Sequence, residues 1–245
     1  MTIGKVDEVV EIELVNYFIK GNIALTKVDE DYPDNKLSGA VFEVYSDTNG
    51  DGKLDKDDTL LGEMKELDGG VYQMSELRYG KYLVKETKAP TGFVLDEDVY
   101  AVSIEENGKT YTVENKAGVG FINAAQKGSL KIVKTSSDGK VEGFSFRVTG
   151  VDYDQTFKTD KNGEIVIEGL RIGDYTVSEV SDKASAGYIL PADKQATVKV
   201  NATAIVQMHN EFRDTPKTGD DFNLLMGKPC GVVCCRCGRS RICRL

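Results

Sequence analysis

Short alternating runs in this chain carry a charged or amide residue on an otherwise apolar face, and that placement narrows the folds open to it. Strand side chains point alternately to two faces. In Tyr82-Leu-Val-Lys-Glu86, Tyr82 and Val84 mark a buried face, and Glu86 shares it. Ile23 and Leu25 share a face with Lys27, and Val119 and Phe121 share one with Asn123. The order then recurs: Leu130 and Ile132 with Lys134, Tyr175 and Val177 with Glu179, Val206 and Met208 with Asn210. The alternation therefore predicts two cores, each receiving a Lys, a Glu and an Asn from an early, a middle and a late strand. Isolated charges in a core are costly.

The trio has a definite chemistry. Burial favours the neutral amine of Lys and the protonated carboxyl of Glu. A neutral amine is a nucleophile and can attack the Asn side-chain carbonyl carbon. The Glu can polarise that carbonyl and shuttle protons. Ammonia leaves, an isopeptide bond remains, and no buried ammonium has to be carried.

Short strands between Gly, Asn and Asp clusters predict an all-β chain of tandem antiparallel β-sandwiches. Expected strands include Leu37–Tyr45 with its entry turn, Val71–Met74, Val99–Ile104 and Phe144–Gly150. Asn107-Gly108 reads as a hairpin turn and Asp160–Gly163 as a turn. The chain has 245 residues and a net charge of −9, which argues against nucleic acid as a partner. With a single His, His209, there is little room for His-based catalysis. The expected class is not an enzyme acting on external substrate; its only nucleophile chemistry is spent internally.

The chain resembles tandem B-type collagen-adhesin repeats, the Ig-like, prealbumin-like SpaA domains of Gram-positive surface proteins and pilins. Tyr82-Leu-Val-Lys-Glu-Thr-Lys-Ala-Pro-Thr-Gly-Phe93 is similar to that family's E-box. The second copy, Tyr175-Thr-Val-Ser-Glu-Val-Ser-Asp-Lys183, has no Ala-Pro after its Glu. The resemblance places Lys27, Glu86 and Asn123, and again Lys134, Glu179 and Asn210, on the family's isopeptide positions, with Glu86 and Glu179 as the autocatalytic carboxyls. It implies a surface stalk or pilin-like role, with adhesion to a host matrix protein or glycan as the alternative.

The domains expected are residues 1–20, a strand like the final Asn strand of an upstream repeat or else an extra edge strand; 21–126, the first repeat; 127–213, the second; and 214–245, a tail. On this reading the chain is part of a longer protein. Within the first repeat, Asp47, Asn49, Asp51, Lys53 (by its carbonyl), Asp55 and Asp58 follow a twelve-residue calcium-loop spacing, with Gly52 at the sharp turn. Asp58 stands where an EF-hand has a bidentate Glu. The choice is between a Ca2+ site and a solvated acidic hairpin.

In the tail, Thr215-Pro-Lys-Thr-Gly219 resembles a sortase signal: Thr215 replaces the usual Leu, and Pro216, Lys217, Thr218 and Gly219 match. This implies sortase as a partner and peptidoglycan or a neighbouring pilin subunit as the acceptor. All five Cys follow it, after only a short apolar run, Phe222-Asn-Leu-Leu-Met226. A reading-frame change after about residue 225 is the expectation for that end, which is too short to span a bilayer as a helix.

Overall fold

The computed structural model describes residues 12–213. The first repeat holds β1 (Lys20–Asp29), β2 (Val41–Ser46), β3 (Thr59–Glu63), β4 (Lys65–Glu66), β5 (Val71–Arg78), β6 (Gly80–Lys88), β7 (Val99–Ile104), β8 (Thr110–Thr112) and β9 (Phe121–Asn123). The second holds β10 (Lys127–Ser136), β11 (Ser145–Gly150), β12 (Tyr153–Lys158), β13 (Glu164–Arg171), β14 (Gly173–Val180), β15 (Tyr188–Ile189), β16 (Lys194–Val198) and β17 (Thr203–Phe212). In each repeat two sheets face one another. They run β4-β5-β1-β8, with β9 also on β1, against β3-β2-β6-β7, and then β13-β10-β17-β15 against β12-β11-β14-β16.

Inward residues of both sheets fill each core. Ile23, Leu25, Phe42, Val44, Tyr72, Val84 and Phe121 cluster in the first, and Leu130, Ile132, Phe144, Phe146, Tyr175, Val177 and Met208 in the second. Edge-to-face contacts link Phe42 to Tyr72 and to Phe121 at centroid distances of 5.1 and 5.0 Å. The tyrosine that opens each Glu-bearing strand closes a corner: Tyr82 donates to the Arg78 carbonyl and Tyr175 to that of Arg171.

Three details differ from the sequence reading. The sheets are mixed, because the first and last strands of each repeat run parallel, β1 with β8 and β9, and β10 with β17. A parallel pair needs a long crossover, which the rest of each repeat supplies. Second, Asn107-Gly108 does not close a hairpin, since β7 and β8 belong to different sheets. The turn instead caps the start of β1: Lys20 N–H donates to Asn107 Oδ1 and Gly108 N–H to the Lys20 carbonyl. Third, Val119 precedes the strand rather than lying on it. The last strand of the first repeat is split into β8 and β9, where β17 is continuous. Gly120, at φ +133°, brings the chain back; a Cβ there would lie 2.8 Å from the Thr26 carbonyl oxygen.

Residues 12–19 are exposed and outside any strand, so the strand expected there finds no ladder partner among the described residues. The repeats join through residues 124–126. Arg171, at the end of β13, donates both arms of its guanidinium to Asp29, at the end of β1, at 2.7 and 2.8 Å, and also reaches Asp31 at 3.0 Å. Its guanidinium carbon lies 4.9 Å from the Tyr32 ring centre.

Candidate functional site

The parallel pairing of first and last strands sets the geometry of both trios. Lys27 lies opposite Phe121, and Lys134 opposite Met208. The Asn therefore sits two residues further along the neighbouring strand in each repeat. That diagonal, about 7–8 Å between backbones, is within reach of a Lys side chain. The Glu comes from the central strand of the facing sheet, β6 or β14.

In the first repeat Lys27 and Glu86 are 0% exposed and Asn123 is 3% exposed. Asn123 Nδ2 donates to both oxygens of Glu86, at 3.0 and 2.9 Å. The Asp96 backbone N–H donates to Glu86 Oε2 at 2.9 Å. Lys27 Nζ lies 3.8 Å from Glu86 Oε1 and donates to the Phe121 carbonyl at 3.0 Å. Burial lowers the Lys27 amine to about 8, against the attraction of the Glu86 and Asp96 carboxylates. Burial also raises the Glu86 carboxyl, although Asp96 N–H, Asn123 and Lys27 pull it down. Asp96 is itself fixed by Tyr100 and Asn115. A cleft of about 520 Å³, lined by Asp96, Asp98, Ile122 and Asn123 among others, opens beside the trio.

The second repeat reproduces the arrangement with fewer contacts. Lys134, Glu179 and Asn210 are buried, and Asn210 Nδ2 donates to Glu179 Oε1 at 2.7 Å. Lys134 donates to the Thr135 carbonyl, and its amine lies 4.2 Å from the Phe144 ring centre. Burial again lowers the amine and raises the carboxyl. Among the described residues three buried acceptors have no hydrogen-bond partner: Asn123 Oδ1, Asn210 Oδ1 and Glu179 Oε2. The structure thus brings together all six residues that the alternation placed inward.

The loop from Asp47 to Asp58 closes on itself. Asp47 accepts from the N–H groups of Gly50 and Gly52, and Asp58 from those of Thr48 and Asp55. Asn49 Nδ2 donates to Asp55 Oδ2, and Lys53 N–H to Asp51. Among the described residues no group of three or more His, Cys, Asp or Glu is gathered for a metal. Sequence reasoning missed that this loop folds over its own sheet. Lys81 Nζ donates to the Gly50 carbonyl at 2.9 Å, and a Cβ on Gly52 would lie 3.8 Å from that of Ala101. It also missed Asp96 and the Arg171–Asp29 pair, for which no local pattern exists. His209 is exposed, beside Thr135 and Glu211. Thr215–Gly219 and the Cys-rich end lie outside the described residues, and among those described no helix is long and apolar enough to cross a membrane.

No curated protein matches the chain. Among solved structures it is similar to the TIE protein of Bacillus anthracis, at 26% identity and a TM-score of 0.59, covering 80% of this chain and 34% of that one. It spans about a third of that relative's length. The minor pilin of Streptococcus agalactiae matches at 16% identity and a TM-score of 0.36, covering 80% of this chain and 98% of that one. The pilus adhesin SpaC of Lactobacillus rhamnosus GG matches at 13% identity and a TM-score of 0.47, covering 79% of this chain and 31% of that one. The family model for the SpaA prealbumin-like fold domain matches residues 21–117 and again 128–212. The chain belongs to the SpaA family and carries its domain twice.

Proposed function

We propose that the chain is a structural segment of a pilin-like, cell-wall-attached surface protein, stiffened by Lys27–Asn123 and Lys134–Asn210 isopeptide bonds. The observation that carries this reading is the pair of buried Lys–Glu–Asn trios on equivalent strands. A neutral Lys amine attacks Asn Cγ, the bond to Nδ2 breaks, and an amine proton passes by way of the Glu to the departing ammonia. Burial, which raises both carboxyls, favours a protonated Glu. A carboxylic acid brings an O–H donor, which a buried amide oxygen such as Asn210 Oδ1 lacks. With the Asn amide turned so that Oδ1 faces the Glu, that O–H would donate to it and polarise the carbonyl that the amine attacks. Intact mass of the folded chain tests the reading, by the loss of one ammonia per bond.

We further propose that Asp47, Asn49, Asp51, Asp55 and Asp58 hold calcium, with the Lys53 carbonyl. The oxygen donors suit a hard cation, and Asn49 already reaches Asp55 across the loop. A bound ion would neutralise the carboxylates and lock the loop on its sheet. Calcium is expected to stabilise the fold by about 2.7 kcal/mol at a hundredfold excess over Kd, and so to raise the melting temperature over a chelator control in a concentration-dependent way. Asp47→Ala should abolish the increment. Equal melting with and without calcium leaves the acidic-hairpin reading.

Attachment is proposed to run through sortase, with cleavage between Thr218 and Gly219 and transfer of Thr218 to a peptidoglycan or pilin-subunit amine. Pro216 restricts the free peptide and so reduces what binding must order. A peptide covering Asp214–Asp221 should be cut at that bond by a soluble sortase of matching specificity. An intact peptide overturns the proposal.

A further inference from the structure

Residues 12–27 repeat the pattern of residues 119–134. Asn16-Tyr-Phe-Ile-Lys-Gly-Asn-Ile-Ala-Leu-Thr-Lys27 matches Asn123-Ala-Ala-Gln-Lys-Gly-Ser-Leu-Lys-Ile-Val-Lys134 at the Asn, at both Lys, at the Gly and at the two inward apolar positions between them. Asn16 corresponds to Asn123, Lys20 to Lys127, Gly21 to Gly128, Ile23 to Leu130 and Lys27 to Lys134. Ile12 and Leu14 then take the places of Val119 and Phe121.

The structure carries the match further. Both glycines sit at a register shift, Gly21/Ile23 on β5 and Gly128/Leu130 on β13. A Cβ would strike a carbonyl in each case, Lys109 at 2.8 Å and Lys199 at 2.2 Å. The linkers make the same backbone bond: Tyr79 N–H to the Ile19 carbonyl at 2.9 Å, and Ile172 N–H to the Gln126 carbonyl at 3.1 Å. Lys20 pairs with Arg78 as Lys127 pairs with Arg171. Arg78 lies 4.3 Å from the ring centre of Phe18 in the preceding linker. The linker at 17–19 is thus bonded as a joint between two sandwiches is bonded.

The strand that should lie beyond that joint stands open. Ile12 is 65% exposed and Leu14 87%, whereas Phe121, at the position of Leu14, is 0% exposed. Asn16 is exposed and Asn123 buried. We infer that Ile12–Asn16 is the last strand of a further SpaA-type β-sandwich, one that presents an inward Lys and Glu and leaves its last-strand position open, and that Asn16 is the acceptor of a third isopeptide bond. The docking half stands on the repeated joint; the covalent half rests on the isopeptide reading above. The bond forms as in the other repeats: the partner's neutral Lys amine joins Asn16 Cγ, and Nδ2 departs as ammonia with a proton from that amine.

The test supplies such a sandwich. A copy of residues 127–205 is placed directly before Ile12 of the chain, so that Ile12, Leu14 and Asn16 fall where Val206, Met208 and Asn210 stand. A control fusion carries Val206–Asn210 in place of Ile12–Asn16. The expected mass shows three ammonia losses in both, and Asn16→Ala brings the first back to two. Two losses where the control shows three would overturn the assignment. If the original chain shows no loss at all, the isopeptide reading fails instead. Docking is then judged by hydrogen exchange at Leu14 and Val15: protection in the fusion supports it, and exchange at open-chain rates overturns it. Protection of the same amides in the unfused chain would mean that its own residues cover the strand, which also overturns it.

Discussion

The folded chain is expected to weigh less than its sequence by two ammonia molecules, and Glu86→Gln or Asn123→Ala should each restore one of them. Glu86→Gln keeps the shape of the side chain and removes its ability to pass a proton, so it separates chemistry from packing. Glu179→Gln should restore the other. The stability effect should be large. Joining Lys27 to Asn123 closes a loop of roughly a hundred residues, worth on the order of 4–5 kcal/mol by analogy with a disulfide. For a domain of this size that corresponds to on the order of 20 °C in melting temperature. The variant also retains a charge problem that the product does not have. An uncrosslinked Lys27 amine, held near 8 by burial, must be carried inside a core. An unshifted wild-type mass would end the isopeptide proposal for both repeats.

The two repeats should not respond alike. Glu86 is held by Asn123, by the Asp96 N–H and by the nearby Lys27 amine. Glu179 has one hydrogen bond and an orphaned oxygen.

The trios were legible because alternation fixes which face a residue takes, and a sandwich has only one inside. Six inward polar residues are a signal that burial alone would not tolerate. What pairs with what across the sheets was less legible. The Asn107-Gly108 dipeptide announces a reversal, but local turn chemistry does not say which sheet receives the returning chain. Val119 obeys the parity of Phe121 and Asn123, yet the strand has broken before it, where Gly120 alone can pass the Thr26 carbonyl. Ile12, Leu14 and Asn16 alternate as a strand should, but a strand needs an edge to pair with, and none of the described residues offers one. The Asp47–Asp58 spacing showed the composition of the loop and not its attachment to Lys81.

Arg171→Ala is expected to loosen the joint between the repeats and to cost about 3–5 kcal/mol, the penalty for leaving a buried carboxylate without its cation. Asp29 is 2% exposed, and both its oxygens receive the guanidinium fork. Arg171→Lys should recover little, because a single ammonium cannot reproduce the bidentate geometry. Asp31→Asn, which removes the more exposed arm, should cost under about 1 kcal/mol. Burial pushes the Asp29 carboxyl up, but the hydrogen bonds from Arg171 and the Asp31 N–H outweigh it and hold the group below its usual 3.8. A depressed carboxyl stabilises above its unfolded value and loses that contribution as pH falls through the folded one. The difference between wild type and Arg171→Ala should therefore be full above about pH 4 and shrink below it, as read by denaturant unfolding at each pH. Small-angle scattering on the same pair reports the joint directly, since a freed linker widens the distance distribution. An unchanged distribution and stability would show that residues 124–126 hold the repeats without help. The position of the pair argues otherwise. Lys27 and Asp29 lie two residues apart on β1; one is placed to tie that strand to the last strand of its own repeat, and the other ties it to the next repeat. A pull on the second repeat would then reach β1 through Asp29 and through Asn123 together, so neither the linker nor the sheet would bear it alone.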